Sequence, residues 1–330
     1  MSIQLRVHTE AFGLKQAFVI SRGSRAEQVV VHVELSDGVH IGQGEAVPSA
    51  RYGETANLVT IAIEAHRRRI ESGRLDRRDL LELMPAGAAR NALDCALLDL
   101  EAKRLGRPAW QLLGLDRAPA PVTTAFTLSL GPTEQMAEEA ANNAWRPLLK
   151  IKLGEGDLDL ARVEAVRKAA PRTEIIVDAN EGWDLQEFRA MLPDLERLGV
   201  AMIEQPLPAN DDDRLREIPC SITLCADESC HDRRSLNRLV GLYDMVNIKL
   251  DKAGGLTEGV ALQRAARRQG FDVMVGCMLG TSLAMAPAML LAQDARYVDL
   301  DGPLLLSDDR ENPLAIDGST IAPPVAALWG

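Results

Sequence analysis

From about residue 120 onward, short apolar runs return along the chain at a regular interval. They centre near Phe126, Ile151, Val177, Ile203, Leu224, Ile248, Val275 and Val298, with neighbouring centres 21–27 residues apart. Short apolar runs rich in β-branched residues and bounded by polar or turn residues read as buried strands. Most gaps hold a helical pattern, as over Asp159–Ala169 and Thr257–Arg268. Eight strands with helical crossovers at that period predict an α/β fold, a (β/α) TIM-type barrel. Some gaps are short, so one or two crossovers are expected to be irregular.

The first 120 residues follow a different pattern. Residues 3–8, 17–21 and 28–35 read as strands, the clearest being the VVVHVEL run. Ser36-Asp37-Gly38 marks a turn, and 39–46 reads as a returning strand. Residues 55–72 and 88–105 read as helices. In the second, Ala89, Ala92, Leu93, Ala96, Leu97 and Leu100 recur at helical spacing. Gly106-Arg107-Pro108 ends that helix, and 109–114 forms a further short turn. The chain therefore divides into an α+β capping domain over 1–119 and a barrel over 120–311. The tail 312–330 is expected to pack back on the first domain.

Composition narrows the function classes. The chain has 330 residues, of which 46% are hydrophobic, enough for a large core. Its formal net charge of −11 disfavours nucleic acid and anionic membranes as partners, because phosphate binding needs a basic surface. It leaves an anionic small substrate open. No apolar run approaches the roughly 20 residues that span a bilayer. The N-terminus lacks the layout of a secretory signal. The five cysteines, Cys95, Cys220, Cys225, Cys230 and Cys277, are odd in number and scattered, which fits a reducing cytoplasm. Cys220, Cys225, Cys230 and His231 cluster, but their spacing is wider than that of paired zinc ligands, so they read as core or loop thiols.

A barrel's active site lies at the C-terminal ends of its strands, so the polar residues found there carry the information. The second strand ends Lys150-Ile151-Lys152, with both lysines on one face. The third ends at Asp178 and Asn180, the fourth at Glu204, the fifth at Asp227 and Glu228. The sixth carries Asn247, Lys249 and Asp251, and the eighth ends with Asp299 and Asp301 on a common face. Any one of these is a common helix cap or turn residue. Together they put three acids at the ends of three consecutive strands, with lysines on strands to either side. Asp178, Glu204 and Asp227 offer hard oxygen ligands without His or Cys, which selects Mg²⁺, with Mn²⁺ as a substitute, over zinc. A carboxylate substrate sharing that metal would have its α-proton acidified, and the ene-diolate left by proton removal would be stabilised. Lys152 and Lys249 could act as base and acid, with Lys150 adding positive charge.

With these residues in this order, the chain resembles the enolase superfamily, in its muconate-lactonizing subgroup, over nearly its whole length. Within the subgroup it looks like the dipeptide epimerases that act on L-Ala-D/L-Glu. The NIKLDKAGGLTE stretch at 247–258 is very like theirs. The resemblance implies a Mg²⁺-assisted 1,1-proton transfer at the α-carbon of a dipeptide's C-terminal residue, serving murein peptide metabolism. It implies that Asp299 and Asp301 grip the dipeptide ammonium. Arg25, in the loop Ser21-Arg22-Gly23-Ser24-Arg25, would bind the Glu side chain, and loops 19–25 and 48–54 would close over the site. Thr127 and Asp251 are carried over as substrate contacts, and Asn180 and Glu228 as supports behind the metal ligands. Two other readings stay open. One is o-succinylbenzoate synthesis or cycloisomerisation on the same scaffold, which needs no ammonium site. The other is a non-catalytic barrel with a binding or structural role. The partner expected is a small dipeptide, and a homo-oligomer remains open.

Overall fold

The computed structural model describes residues 3–330. Each of the eight apolar centres falls within a strand of one eight-stranded sheet, parallel throughout. In chain order the strands are Phe126–Leu128, Leu148–Lys152, Glu174–Asp178, Val200–Glu204, Thr223–Ala226, Met245–Ile248, Asp272–Gly276 and Tyr297–Asp299. The sheet curls until its first and last strands meet, where Ala125 N–H donates to Val298 O at 2.8 Å. Alternate residues face opposite sides of each strand. Ile176, Met202, Met245 and Met274 therefore fill the barrel's interior, while Ile175, Val177 and Ile203 pack outward against the helices.

Helices Thr133–Asn142, Asp159–Ala169, Leu185–Arg197, Leu256–Arg268 and Ser282–Ala292 form much of the outer ring. The expected irregular crossovers flank the fifth strand. Before it runs a 3-10 segment, Ala209–Glu217, in which only Asp212 and Leu215 are buried. After it comes the short pair Arg233–Ser235 and Leu236–Leu239. The sequence ANDDDRLRE offers no apolar stripe to hold a regular helix against the barrel.

In the capping region, the expected strands 3–8 and 17–21 are parts of one strand, Gln4–Ile20, paired antiparallel with Gly23–Ser36. Over residues 9–16 this ribbon buries no residue fully. The hydropathy signal fades there while the backbone ladder continues, with a register shift between Gly13 and Phe18. Ile41–Ala46 completes the sheet. The expected helix over 55–72 is two, Ala56–Glu64 and Arg67–Glu71, and a third, Arg77–Leu83, was not anticipated.

Helix Ala88–Leu105 joins the two regions. Ala92, Leu93, Ala96 and Leu100 pack on the capping sheet, while Cys95, Leu98 and Ala102 enter the barrel's outer core. The sheet comes so close that a Cβ on Gly42 or Gly44 would collide with the helix backbone at Ala96 or Ala92. The tail returns to the same helix: Trp329 Nε1 donates to Cys95 O at 3.1 Å and Gly330 N to Asp99 Oδ1 at 2.7 Å. On the way it forms a small antiparallel sheet with Val122–Thr123. No helix among the described residues is long and apolar enough to cross a membrane.

Candidate active site

Strand register assembles the site. Lys152 lies beside Asp178 across the second and third strands, and Asp178 beside Glu204 across the third and fourth. Asp227 follows the fifth strand by one residue, and Lys249 the sixth. All five side chains are nearly fully buried. Carboxylate oxygens of Asp178, Glu204 and Asp227 lie within 4.8 Å of one another, the only such cluster of potential metal ligands among the described residues. Lys152 Nζ donates to Asp178 Oδ2 at 2.6 Å. Lys249 Nζ donates to Asp227 Oδ2 at 2.7 Å. Lysines on the second and sixth of eight strands thus reach the acids from opposite sides of the barrel.

Lys150 is 0% exposed and ties the cage to the eighth strand. Its Nζ lies 2.7 Å from Asp299 Oδ2, 2.6 Å from Glu204 Oε2 and 3.2 Å from Asp178 Oδ2. Burial alone would lower this ammonium's pKa. The charges of Asp299, Glu204 and Asp178 outweigh burial and hold it well above the ordinary lysine range. Lys249 follows the same pattern, with Asp227 and Glu204 raising it against burial.

The donor set fits a hard divalent cation. Asp227 is held well below the usual carboxylate range because Lys249 and Lys252 outweigh burial. Asp178 is held down by Lys152 and Lys150 against the same opposition. Glu204 instead rises to about 7, through burial first and then the charge of Asp178. Burial and the incompletely compensated like charges of three adjacent acids both work against ionising the whole set. Buried oxygens Glu204 Oε2, Asn180 Oδ1, Glu228 Oε2 and Asn247 Oδ1 also have no hydrogen-bond donor. Lys150 approaches Glu204 Oε2 as a charge, off the hydrogen-bonding direction. Among the three acids it is Glu204 Oε2 that is left without a donor, and a buried carboxylate oxygen in that state beside two further carboxylates suits an oxygen-loving cation.

The backbone here is strained. Among the described residues four non-glycines hold positive φ, and three of them, Asn180, Glu181 and Gln205, follow the cage acids Asp178 and Glu204 by one to three positions. Such conformations cost about 1–3 kcal/mol each and persist only where the surroundings enforce them.

A cavity of about 500 Å³ opens above the acids, roofed by the capping region. Thr127, Lys152, Asn180, Asp227, Glu228, Lys249, Asp299 and Asp301 line it, together with Arg25. Asp301 accepts from Thr127 N–H at 2.7 Å. Burial and the charge of Asp299 push its carboxyl up to about 7. Arg25 donates to Gln28 Oε1 at 2.7 Å and meets no carboxylate among the described residues. Arg22 is already engaged, donating to Glu228 Oε1 at 2.7 Å and Asn180 O at 2.6 Å. Arg51, from the second loop, grips Glu181 through two hydrogen bonds of 2.6 and 2.7 Å. Both capping loops therefore sit closed on the barrel.

One expected contact is placed elsewhere. Asp251 does not line the cavity; its Oδ1 accepts from Val47 N and Asn91 Nδ2, each at 2.9 Å. It holds the capping region onto the barrel. Two residues that contact the site escaped the sequence reading. Lys252, 1% exposed, donates to Asp227 Oδ1 at 2.5 Å and also to Asp227 O. In sequence it resembles an ordinary helical surface lysine, and only its place within NIKLDK marks it. Arg51 reads as loop solvation until Glu181 is seen opposite. The thiols at Cys220, Cys225 and Cys230 are free and form no metal cluster among the described residues.

Family models match both regions. The mandelate racemase/muconate lactonizing enzyme N-terminal domain matches residues 2–114, and the enolase C-terminal domain-like family matches 133–327. An L-Ala-D/L-Glu epimerase of Escherichia coli is 47% identical over 94% of this chain and 96% of its own. An N-acetyl-D-glutamate racemase of Pseudoalteromonas is 44% identical over 91% and 95%. A crystal structure of an Agrobacterium tumefaciens enolase family member with homology to dipeptide epimerases, holding sodium and L-Ala-L-Glu, superposes with a TM-score of 0.97. It is 48% identical over 99% of this chain and 100% of that one. A dipeptide epimerase of Enterococcus faecalis, complexed with Mg and L-Leu-L-Tyr, gives a TM-score of 0.92 at 28% identity over 100% and 99%.

Proposed function

We propose, from the premise that this chain belongs to the mandelate racemase/muconate lactonizing enzyme family of the enolase superfamily, that it is a dipeptide epimerase acting on L-Ala-D/L-Glu. Its similarity to an epimerase at 47% identity and a racemase at 44% makes it an isomerase. The observation that carries the reading is the pair of lysines, Lys152 and Lys249, reaching one three-acid cage from opposite sides of the barrel. Inversion at one carbon needs a proton taken from one face and returned to the other, and two amines so placed can do both.

Asp178, Glu204 and Asp227 would hold Mg²⁺, which supplies Lewis acidity that polarises a substrate carboxylate and acidifies the neighbouring α-proton. The protein's own groups do the rest. Lys152 or Lys249, according to the enantiomer bound, removes the α-proton, and the other returns one. Each ammonium now leans on a cage acid. With that acid committed to a cation, Lys249 would lose the partner that raises it, which would favour its neutral, base form. Lys150 holds a fixed positive charge against Glu204, Asp178 and Asp299, and that charge favours negative charge developing in the cavity as the proton leaves. Asp299 and Asp301 face the cavity where the dipeptide ammonium would lie. Arg25 supplies a cation for the Glu side chain. The closed loops exclude water from the reacting carbon.

A second reading is favoured by one observation. Asp299 is already paired with Lys150, and Asp301 is pushed to about 7, so the acid pair carries less negative charge than two free carboxylates. N-acetylglutamate differs from Ala-Glu chiefly in lacking the ammonium, and would tolerate that. The deciding experiment measures α-carbon deuterium uptake in D₂O with Mg²⁺, comparing L-Ala-L-Glu with N-acetyl-L-glutamate at matched concentration. Epimerase function requires label in the dipeptide; label confined to the acetyl compound favours the racemase, and none in either ends both readings. The five unpaired thiols support a reducing cytoplasmic setting, and Ala-Glu as substrate supports a place in murein peptide breakdown.

A further inference from the structure

The fourth barrel strand ends Glu204-Gln205-Pro206, and Gln205 is fully buried, holds φ +37° and does not line the cavity. Its backbone bridges neighbouring strand ends: its N–H donates to Cys225 O at 2.9 Å, and its carbonyl accepts from Glu181 N at 3.0 Å. Its side chain reaches the next strand's loop. Oε1 accepts from the backbone N–H groups of Asp227 at 3.0 Å and Ser229 at 3.1 Å, which fixes the amide's orientation. Nε2 carries two hydrogens and has Tyr243 Oη and Ser229 Oγ at 2.9 Å each and Leu207 O at 3.0 Å. Tyr243 in turn donates to Asp212 Oδ1 at 2.6 Å.

Asp227 needs such support. The sheet's ladder between the fourth and fifth strands ends at Glu204 and Cys225, so Asp227 lies beyond it. Only Gln205 holds the Asp227 backbone N–H, and a rotation there would swing the carboxylate away from Asp178 and Glu204. Glu204 and Gln205 are consecutive, so one residue supplies a cage oxygen while the next sets its neighbour's position. A non-glycine residue at positive φ is disfavoured, and the five side-chain contacts of 2.9–3.1 Å around this one over-determine it.

We infer that Gln205 is a positioning residue for the metal cage: oriented by Tyr243 and Ser229, it pins the 227–229 turn and so places the Asp227 carboxylate. This rests on the reading of the three acids as a metal site. The test is Mn²⁺ titration of the full-length protein followed by electron paramagnetic resonance, with thermal melting in chelator measured alongside. Gln205→Met keeps the volume and removes every hydrogen bond of the amide; it should bind Mn²⁺ at least about tenfold more weakly than the unsubstituted protein. Tyr243→Phe leaves the amide and removes only the hydroxyl that orients it, and should weaken Mn²⁺ about threefold. A purely structural role would lower the melting temperature and leave Mn²⁺ affinity unchanged, which overturns the inference. If Gln205→Met does not fold, Tyr243→Phe decides alone, and unchanged affinity is again fatal. Absence of Mn²⁺ binding by the unsubstituted protein removes the metal-site reading and this inference with it. Tight binding by that protein and equally by both variants removes the inference only.

Discussion

Lys152 and Asp178 stand side by side in register on adjacent strands, with the ammonium 2.6 Å from the carboxylate it donates to. Across the barrel Lys249 donates to Asp227 at 2.7 Å, both residues lying just past the ends of their strands. Each proposed proton carrier is thus held by a ligand of the proposed cation, and the proton chemistry and the cage are built from the same ion pairs. Lys252 adds a second ammonium to Asp227 from a position closed to solvent.

That arrangement separates charge from proton transfer. Lys152→Arg and Lys249→Arg keep a cation beside the acid but hold a group that does not deprotonate in proteins. Each should lose net epimerisation by about 100-fold or more, the usual worth of a positioned acid or base. Time courses of optical rotation with L-Ala-L-Glu check this. Arginine variants that retain most activity would reduce the lysines to electrostatic roles.

Metal removal should affect stability as well as rate. A ligand bound only by the folded state stabilises it by about 2.7 kcal/mol at a hundred times its Kd. Melting curves in EDTA and in excess Mg²⁺ should differ accordingly. The gain should vanish in Glu204→Gln, whose buried oxygen then lacks the charge a cation needs.

The acid pair on the eighth strand discriminates the two substrate classes. Asp301→Asn keeps the acceptor for Thr127 N–H but cannot become an anion. It should raise KM for L-Ala-L-Glu by roughly tenfold, the worth of about 1.4 kcal/mol, and leave N-acetylglutamate unaffected. Steady-state kinetics on both compounds decide it.

Arg25 is the cation in the cavity wall without a carboxylate partner among the described residues. Arg25→Met should weaken use of Glu-terminated dipeptides by roughly tenfold or more, since it removes a charge-assisted contact. Dipeptides ending in an apolar residue should be spared or improved. Equal loss across a dipeptide panel would assign Arg25 to loop closure instead.

Asp251 gives a pH prediction for the apoprotein. Burial pushes its carboxyl from 3.8 to about 7, against hydrogen bonds from Val47 and Asn91. Between these values the folded state binds a proton that the unfolded state has released. Its contribution to stability is therefore complete below the unfolded value, falls as pH rises, and is flat above about 7. Asp251→Asn should remove that slope and gain on the order of 1–2 kcal/mol at pH 8 relative to the parent. Denaturant titrations at pH 5 and pH 8 measure it.

The period of apolar runs determined the eight barrel strands, and polar residues closing those runs identified the cage and both lysines. Both signals are local: a strand's burial shows in its own alternation, and a strand-end residue reaches the site by topology alone. The sequence could not show what depends on two segments meeting. The arm over residues 9–16 buries nothing fully, so its ladder left no hydropathy trace. Lys252 looks like a surface lysine until Asp227 lies over it, and Asp251 looks like a cavity residue until the Val47 backbone takes its oxygen. Gln205 is an unremarkable amide until its partners converge from three other segments. Hydropathy reports how much of a side chain leaves water; which polar group receives it there is settled by packing between distant parts of the chain.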